Sequence, residues 1–150
     1  MATNLEFIKS ASGSSVSSLD VTDCFNVTYE TYFVTIKTDG SADTEMRLRF
    51  LDSSNTVINS ANYDSASQNL FSNTSFSENR HTSQTYIERL VSPRSATNGS
   101  GSVNIYIFNP FDSSSFQFLT FQGTAQSTSA TIGRKGIGVL KSAEQCKGIQ

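Results

Sequence analysis

The alternation of hydrophobic and polar residues is strongest between Ser102 and Gly123, where two alternating segments flank a turn region at Asn109–Ser115. A period of two residues is typical of a β-strand, so this stretch predicts a β-hairpin. In the first arm Val103, Ile105 and Ile107 oppose Asn104, Tyr106 and Phe108, and in the second arm Phe116 and Phe118 oppose Gln117, Leu119 and Phe121. Because both faces of the hairpin carry apolar side chains, we expect the second face to be covered by the rest of the chain or by another subunit.

Further segments have the alternation or the apolar content of short strands. They are Leu5–Lys9, Val16–Val21, Tyr29–Lys37, Glu45–Leu51, Thr56–Ser60, Thr82–Val91, Thr124–Ile132 and Gly136–Lys141. We interpret the first two as edge strands, and we interpret Tyr29–Lys37 with Glu45–Leu51 as a hairpin of a meander. Short strands without an amphipathic helix predict one all-β domain over residues 1–150, an antiparallel, jelly-roll-like β-sandwich of about eight strands.

Other stretches break the strand pattern. Ala61–Arg80 is polar and irregular but retains Tyr63, Leu70, Phe71 and Phe76, so it predicts a long, partly packed loop of the kind that often carries function. Ser92–Gly101 is the most loop-like stretch, Gly133–Gly138 is interpreted as a tight turn into a strand, and Ser142–Gln150 has no clear pattern.

Composition favours the same fold and narrows the class of protein. The chain has 26 Ser, 16 Thr, 11 Phe, 5 Tyr, 2 Pro and no Trp, a mixture that disfavours helices and favours strands with polar turns. A net charge of −2 and 11 Lys and Arg without a cluster argue against nucleic-acid binding. The sequence has neither an apolar run long enough to span a membrane nor the pattern of a secretion signal, so we expect no membrane partner.

The two cysteines, Cys24 and Cys146, lie near opposite ends of the chain. A disulfide between them would close a long loop, but two cysteines in a chain without an export signal are more often free thiols. The sequence favours free thiols and leaves the pairing open.

Candidate catalytic and metal-binding groups are sparse. His81 is the sole histidine, lies in a polar stretch expected to be a loop, and has no Gly-x-Ser-x-Gly motif to accompany it. One histidine and two distant cysteines do not make a zinc site, and the pairs Asp20/Asp23 and Asp39/Asp43 lack the order of a calcium loop, so turn or capping roles explain them better. The sequence therefore predicts no catalytic residue, no metal and no cofactor.

A resemblance covers nearly the whole chain. It is carried, in order, by the segments LEFIK, VTDCFNVTYETYFVTI, LRFLDSSNTVINSANYD, ENRHTSQTYI, NIYIFNPFDSSSFQFLTFQG and GRKGIGVLKSAEQCKGI. In this order and spacing the chain resembles a family of small virion structural proteins of marine tailed bacteriophages, particularly those of cyanobacteria and other ocean bacteria. Members of that family continue past the Lys-Gly-Ile position with a further strand or two, whereas this chain ends at Gln150. We expect either that C-terminal strands are missing or that the sheet closes differently.

The resemblance implies a non-enzymatic virion protein. The first interpretation is a decoration or cement protein on the capsid exterior that bridges subunits of the major capsid protein, as a homo-oligomer and most simply a trimer. Large apolar groups on the predicted loops are the expected contact residues, and with the turn they give the set Tyr63, Leu70, Phe71, Phe76, Asn109, Pro110 and Phe111. Two alternatives stay open: a tail or tail-fibre component that binds host-surface glycans through Tyr and Asn, and a hydrolase of surface polysaccharide.

Overall fold

The computed structural model describes residues 5–39, 45–73, 76–92, 100–126 and 130–150 of the 150-residue chain. No helix occurs in these ranges. The strands are β1 Thr31–Asp39, β2 Met46–Leu48, β3 Phe50–Leu51, β4 Tyr63–Phe71, β5 Ser77–Gln84, β6 Ile87–Val91, β7 Ser100–Phe108, β8 Gln117–Gln126, β9 Thr131–Leu140 and β10 Gly148–Ile149. The prediction of an all-β, antiparallel, sandwich-like fold is confirmed.

Six strands form one antiparallel sheet in the order β1-β7-β8-β9-β4-β5. Side chains along β7 and β8 alternate between exposed and buried, so one side of the sheet faces the core and the other faces solvent. We name these sides the core face and the outer face. Residues directly opposite each other on paired strands share a face, so the register states which side chains lie together.

Short ladders cover the core face. β2 pairs with β6 and β3 pairs with β10, and β6 also contacts β4, β7, β8 and β9. Residues 21–30 add Phe25 and Cys24, whose N–H groups donate to the Lys147 carbonyl at 3.1 and 2.8 Å respectively. The two layers are therefore unequal, with a wide regular sheet on one side and short irregular pieces on the other. The largest core side chains include Phe25, Leu48, Phe50, Tyr63, Ile87, Leu90, Ile105, Ile107, Leu119, Phe121 and Leu140.

The predicted hairpin at Ser102–Gly123 is confirmed as β7 and β8, with Phe108 opposite Phe118. Asn109 begins its turn with φ of 49°, a left-handed conformation that Asn adopts more readily than most residues. The buried side chain of Gln117 then fastens the turn to the C-terminal segment. Its Nε2 lies 3.0, 2.8 and 2.9 Å from the carbonyl oxygens of Asp112, Ser115 and Glu144.

The prediction of a long loop at Ala61–Arg80 is wrong, because β4 occupies Tyr63–Phe71 and β5 begins at Ser77. β4 lies between β9 and β5, with Asn69 on its core face. Its polar side chains tolerate this position because they find partners that no pattern within one segment reveals, such as Arg134 for Asn69. β5 is an edge strand, where polar residues are common.

The meander hairpin of Tyr29–Lys37 with Glu45–Leu51 is also wrong. β1 pairs with β7, whereas the second segment divides into β2 and β3, which pair with β6 and β10. The two predicted N-terminal strands, which lie within the described residues, do not form. Of their residues, Val21 alone makes an isolated bridge, to Ile149. Thr56–Ser60 is likewise reduced to one bridge between Val57 and Leu51.

Several boundaries differ from the predicted ones. Thr82–Val91 is interrupted at Thr85 and Tyr86 and splits into β5 and β6. Gly133–Gly138, predicted as a turn, is the interior of β9, and the predicted strand Thr124–Ile132 belongs partly to β8 and partly to β9, with residues 127–129 outside the described ranges. Of the predicted loop Ser92–Gly101, residues 93–99 lie outside the described ranges and the last two are part of β7.

Candidate binding surface on the outer sheet face

Large side chains lie exposed on the outer face of the six-stranded sheet. Phe33 is 40% exposed, Tyr106 49%, Phe118 53% and Ile137 59%. These residues come from β1, β7, β8 and β9, so the apolar surface crosses four neighbouring strands. A regular sheet face that exposes aromatic and aliphatic side chains over this width is typical of a binding surface.

The register aligns one row of these side chains across the whole sheet. From β1 to β5 the row consists of Phe33, Tyr106, Thr120, Ile137, Ala66 and Arg80. We name it the aromatic row, because the rings of Phe33 and Tyr106 contact each other with centroids 5.0 Å apart and an interplanar angle of 40°. Such tilted pairs are favourable, and this one leaves about half of the Tyr106 surface open to a ligand or partner.

The next row along the sheet is polar and consists mainly of long planar groups. It contains Thr35, Asn104, Gln122, Lys135, Gln68 and Glu78, and we name it the amide row. The Thr35 hydroxyl donates to Asn104 Oδ1 at 3.1 Å. Glu78 forms an exposed ion pair with Arg80 of the aromatic row, with 3.4 Å between Oε1 and the guanidinium. Side-chain amides offer donors and acceptors together, so the row can hydrogen-bond a neutral polar ligand.

A shallow groove of about 970 Å³ runs along these two rows. Its lining includes the whole aromatic row and the amide row from Asn104 to Glu78. Phe76, which is 67% exposed, contributes to the β5 end. The volume is comparable to that of small-molecule sites, which occupy roughly 300–1,000 Å³. The groove therefore combines an apolar strip with a polar strip within reach of one ligand.

The core face beneath the groove is held by a buried cation. Arg134 of β9 donates from Nε to Asn69 Oδ1 of β4 at 2.6 Å, and its Nη1 lies 2.7 Å from the Arg89 carbonyl and 3.1 Å from Ser92 Oγ. Burial lowers the pKa of the Arg134 guanidinium from its ordinary value. These bonds join β9 and β4 to the layer that contains β6. They therefore fix the strands that present Ile137, Lys135 and Gln68 on the outer face.

The contact residues predicted from sequence are not all available at the surface. Tyr63 is completely buried and lies at the start of β4, where its hydroxyl donates to the Ile58 carbonyl at 3.0 Å and accepts from the Phe50 N–H at 3.0 Å. Burial strongly raises the pKa of this phenol. Phe71 is half-buried, whereas Leu70 is 42% exposed on β4. Only Phe76 of these four lies in the groove.

The turn residues predicted as contacts lie away from the groove lining. Asn109 is exposed, Pro110 is buried, and Phe111 is half-buried against the core. The Pro110 carbonyl accepts from the Cys146 N–H at 2.9 Å, so the turn is tied to the C-terminal segment. Their role as contact residues stays a prediction.

Other candidate chemistry is dispersed. His81 lies in β5 and not in a loop, and Asp23, with φ of 51°, accepts from Asn55 Nδ2 as expected for a turn residue. Cys24 and Cys146 are free, buried thiols, and burial raises the pKa of Cys24 to about 11. Among the described residues no group of three or more His, Cys, Asp and Glu side chains is placed to hold a metal ion. Asp43 lies outside the described ranges.

Sequence reasoning missed Phe33, Gln122, Lys135 and Ile137 as parts of a surface. The alternation of Tyr29–Lys37 already separated Phe33 from Tyr32, Val34 and Ile36, so one signal was present. That β1 pairs with β7, however, depends on contacts between distant segments. The aromatic row can be recognised only once this register is known.

The fold and the surface define an all-β, sandwich-like protein with one covered and one open sheet face. Comparison with protein-family models, with curated proteins and with solved structures finds no match for the chain. In the part of the chain that the structure describes, no helix is long and apolar enough to cross a membrane.

Proposed function

We propose that this protein is a non-enzymatic virion structural protein of a tailed bacteriophage. It decorates the capsid exterior, where it bridges subunits of the major capsid protein and works as a homo-oligomer, most simply a trimer. The observation that carries the proposal is the open outer face, on which Phe33, Tyr106, Phe118 and Ile137 remain exposed on a regular sheet. The resemblance of the sequence to phage structural proteins suggests that the partner of this face is in the virion.

The physical argument is one of added interface. A packed capsid is under outward pressure, and a protein that spans the junction between shell subunits opposes separation through the area it buries. A specific interface buries on the order of 1,000 Å² or more, and its energy comes mainly from a few central aromatic side chains surrounded by polar ones. The aromatic row beside the amide row has this arrangement, with polar groups along one border.

The groove favours a second candidate function, which is recognition of a host-surface glycan by a tail or tail-fibre protein. Sugar rings stack on aromatic faces and hydrogen-bond to planar amides, and the groove places Phe33 and Tyr106 next to Asn104 and Gln122. Such a protein would occur in a handful of copies per particle, whereas a decoration protein would occur in hundreds.

Attachment to shells tests the first proposal. Purified protein is mixed with capsids that lack it, and bound protein is measured by co-sedimentation. We expect the double variant Phe33→Ser and Tyr106→Ser to lose at least tenfold in affinity, because it removes the central rings of the face. The matched control is Val27→Ser, an 86% exposed apolar residue outside the groove lining, which should bind like the unmodified protein.

The results separate the two candidates. Decoration is contradicted if the double variant binds shells as tightly as the control, or if particles contain only a few copies. The glycan function predicts instead that Gln122→Ala and Lys135→Ala weaken binding to host envelope glycans on an array. Cryo-electron microscopy of intact particles locates the protein on the shell or on the tail.

A further inference from the structure

An N-terminal arm, residues 5–20, lies on the surface without joining the fold. Every one of these sixteen residues is exposed, among them Leu5 at 83%, Phe7 at 79% and Val16 at 56%. The described backbone hydrogen bonds begin only at Val21, whose N–H donates to the Ile149 carbonyl at 2.8 Å. The arm therefore exposes apolar side chains, and its water-bonded backbone groups are available to pair with a strand edge.

The arm contacts its own chain through polar side chains. Lys9 Nζ donates to the Thr22 carbonyl at 2.5 Å, and the Tyr29 hydroxyl donates to Glu6. These contacts orient residues 5–9 along the surface but leave Leu5 and Phe7 uncovered. Residues 5–20 contain Glu6, Asp20 and Lys9, so the arm has a net charge of only −1 and no charge cluster that would select a charged partner.

Among the described strands, β1 and β5 form the two edges of the six-stranded sheet, and only β1 suits an apolar strand. Val34 and Ile36 on the core side of β1 pack against the core but remain half-exposed, so the core is incompletely covered there. β5 is polar throughout and has Ser83 in a left-handed conformation with φ of 55°, an irregularity typical of protected edges. β1 has no such irregularity.

We propose that the arm of one copy adds as a strand to the β1 edge of a second copy of this chain, with Leu5 and Phe7 helping to cover Val34 and Ile36. Strand addition satisfies the backbone groups of the arm and of the edge together. If residues 5–13 match the nine residues of β1, residues 14–20 remain as a link that extends about 23 Å towards the neighbour.

The area is adequate for a specific interface when two copies exchange arms reciprocally. A standard interface of about 800 Å² per partner over 20–30 residues implies roughly 300 Å² for an added strand that matches the nine residues of β1, and the edge that it covers contributes a similar amount. Two reciprocal exchanges between a pair of copies then bury about 1,200 Å² in total, which exceeds the lower limit of roughly 1,000 Å² for a specific contact. This inference deepens the homo-oligomer of the proposed function but requires no shell and no ligand, so it can fail while attachment to shells succeeds.

Analytical ultracentrifugation of the full chain tests the exchange. We expect the unmodified protein to be oligomeric at micromolar concentration and the double variant Leu5→Ser and Phe7→Ser to dissociate at least tenfold more readily. Val27→Ser is the matched control, since Val27 is similarly exposed at 86% but lies outside both the arm and the groove lining, and it should assemble like the unmodified chain. The proposal is overturned if the unmodified protein is still a monomer at a concentration on the order of 100 micromolar. It is also overturned if the arm variant assembles normally.

Hydrogen exchange of the unmodified protein locates the contact without any variant. Raising the concentration should slow exchange at residues 5–9 and at β1 together. Protection at β5, or protection confined to the outer face, contradicts the assignment to the β1 edge. If the arm is required for binding to shells while the free protein remains monomeric, the arm binds the shell and the exchange between copies is wrong.

Discussion

Arg134 Nε donates a 2.6 Å hydrogen bond to Asn69 Oδ1 across the pairing of β9 with β4, and both side chains are more than nine-tenths buried. A buried cation is stable only where its N–H groups find acceptors, and Arg134 also reaches the Arg89 carbonyl and Ser92 Oγ. The cluster connects the sheet that bears the groove with the layer that covers the core face. It is therefore a polar cluster within a mainly apolar core.

Replacing Asn69 by Ala should lower the free energy of unfolding by about 2 kcal/mol, since a hydrogen bond to a buried charged group is lost. Urea unfolding followed by circular dichroism measures the loss. Gln68→Ala on the same strand is the control, because Gln68 is exposed on the outer face and should change stability by less than about 0.5 kcal/mol. Equal losses in both variants would contradict a special role for the Arg134 cluster.

Gly136 and Gly133 are matched glycines in β9 with opposite surroundings. A Cβ atom at Gly136 would lie 2.6 Å from the Ala66 carbonyl oxygen and would also meet the Phe121 ring, whereas at Gly133 the nearest atom is Leu70 Cδ1 at 3.4 Å. Gly136→Ala should therefore cost about 1–3 kcal/mol through overpacking, and Gly133→Ala should be neutral or slightly stabilising. Thermal and urea unfolding compare the two, and a neutral Gly136→Ala would show that β9 can shift away from β4.

The hairpin turn depends on Gln117. Gln117→Leu keeps most of the side-chain volume but removes the donor shared by the carbonyls of Asp112, Ser115 and Glu144, so we expect a loss of about 2 kcal/mol. Gln122→Leu, on the outer face of the same strand, should change stability by less than about 0.5 kcal/mol. Urea unfolding measures both. If the Gln117→Leu variant is as stable as the unmodified protein, water molecules replace the hydrogen bonds of the amide.

Stability should fall as the pH rises above 9, partly because of Cys24. Its pKa is raised by burial from 9.0 to about 11 in the folded chain, so between these values the unfolded thiol ionises while the folded thiol stays protonated. The unfolded state is then favoured by about 1.4 kcal/mol per pH unit, or up to about 3 kcal/mol over the two units.

Urea unfolding at pH 8, 9 and 10 measures this effect. Cys24→Ala should show a shallower decline than the unmodified chain, and the remaining decline belongs to other buried acids such as Cys146 and Tyr63, whose pKa values are also raised by burial. Thiol reagents at pH 8 should label either cysteine only after unfolding. Identical pH dependence in Cys24→Ala would contradict the assignment.

Some elements of the fold follow from local sequence. The hairpin of β7 and β8 was predictable because Ser102–Gly123 alternates with a period of two and contains its own turn, so both partners lie in one segment. The all-β class followed from the abundance of Ser and Thr, the aromatic content and the absence of an amphipathic pattern. The expectation of free thiols also agrees with the structure.

Other elements depended on partners far away in the chain. β4 is rich in polar residues, and Asn69 is acceptable inside because Arg134, 65 residues later, supplies a donor. β1 pairs with β7 and not with its neighbour in sequence, so the meander prediction placed it wrongly. A local pattern does not record either relationship.

The sequence by itself determined the class of fold, the central hairpin and the presence of more apolar side chains than one sheet face can bury. Only the tertiary structure decided that Phe33, Tyr106 and Ile137 form one exposed row, that Tyr63 is buried, and that residues 5–20 remain outside the fold. The physical reason is that alternation fixes which side of a strand a residue occupies, whereas register and sheet order fix its neighbours, and these arise from pairing between distant segments.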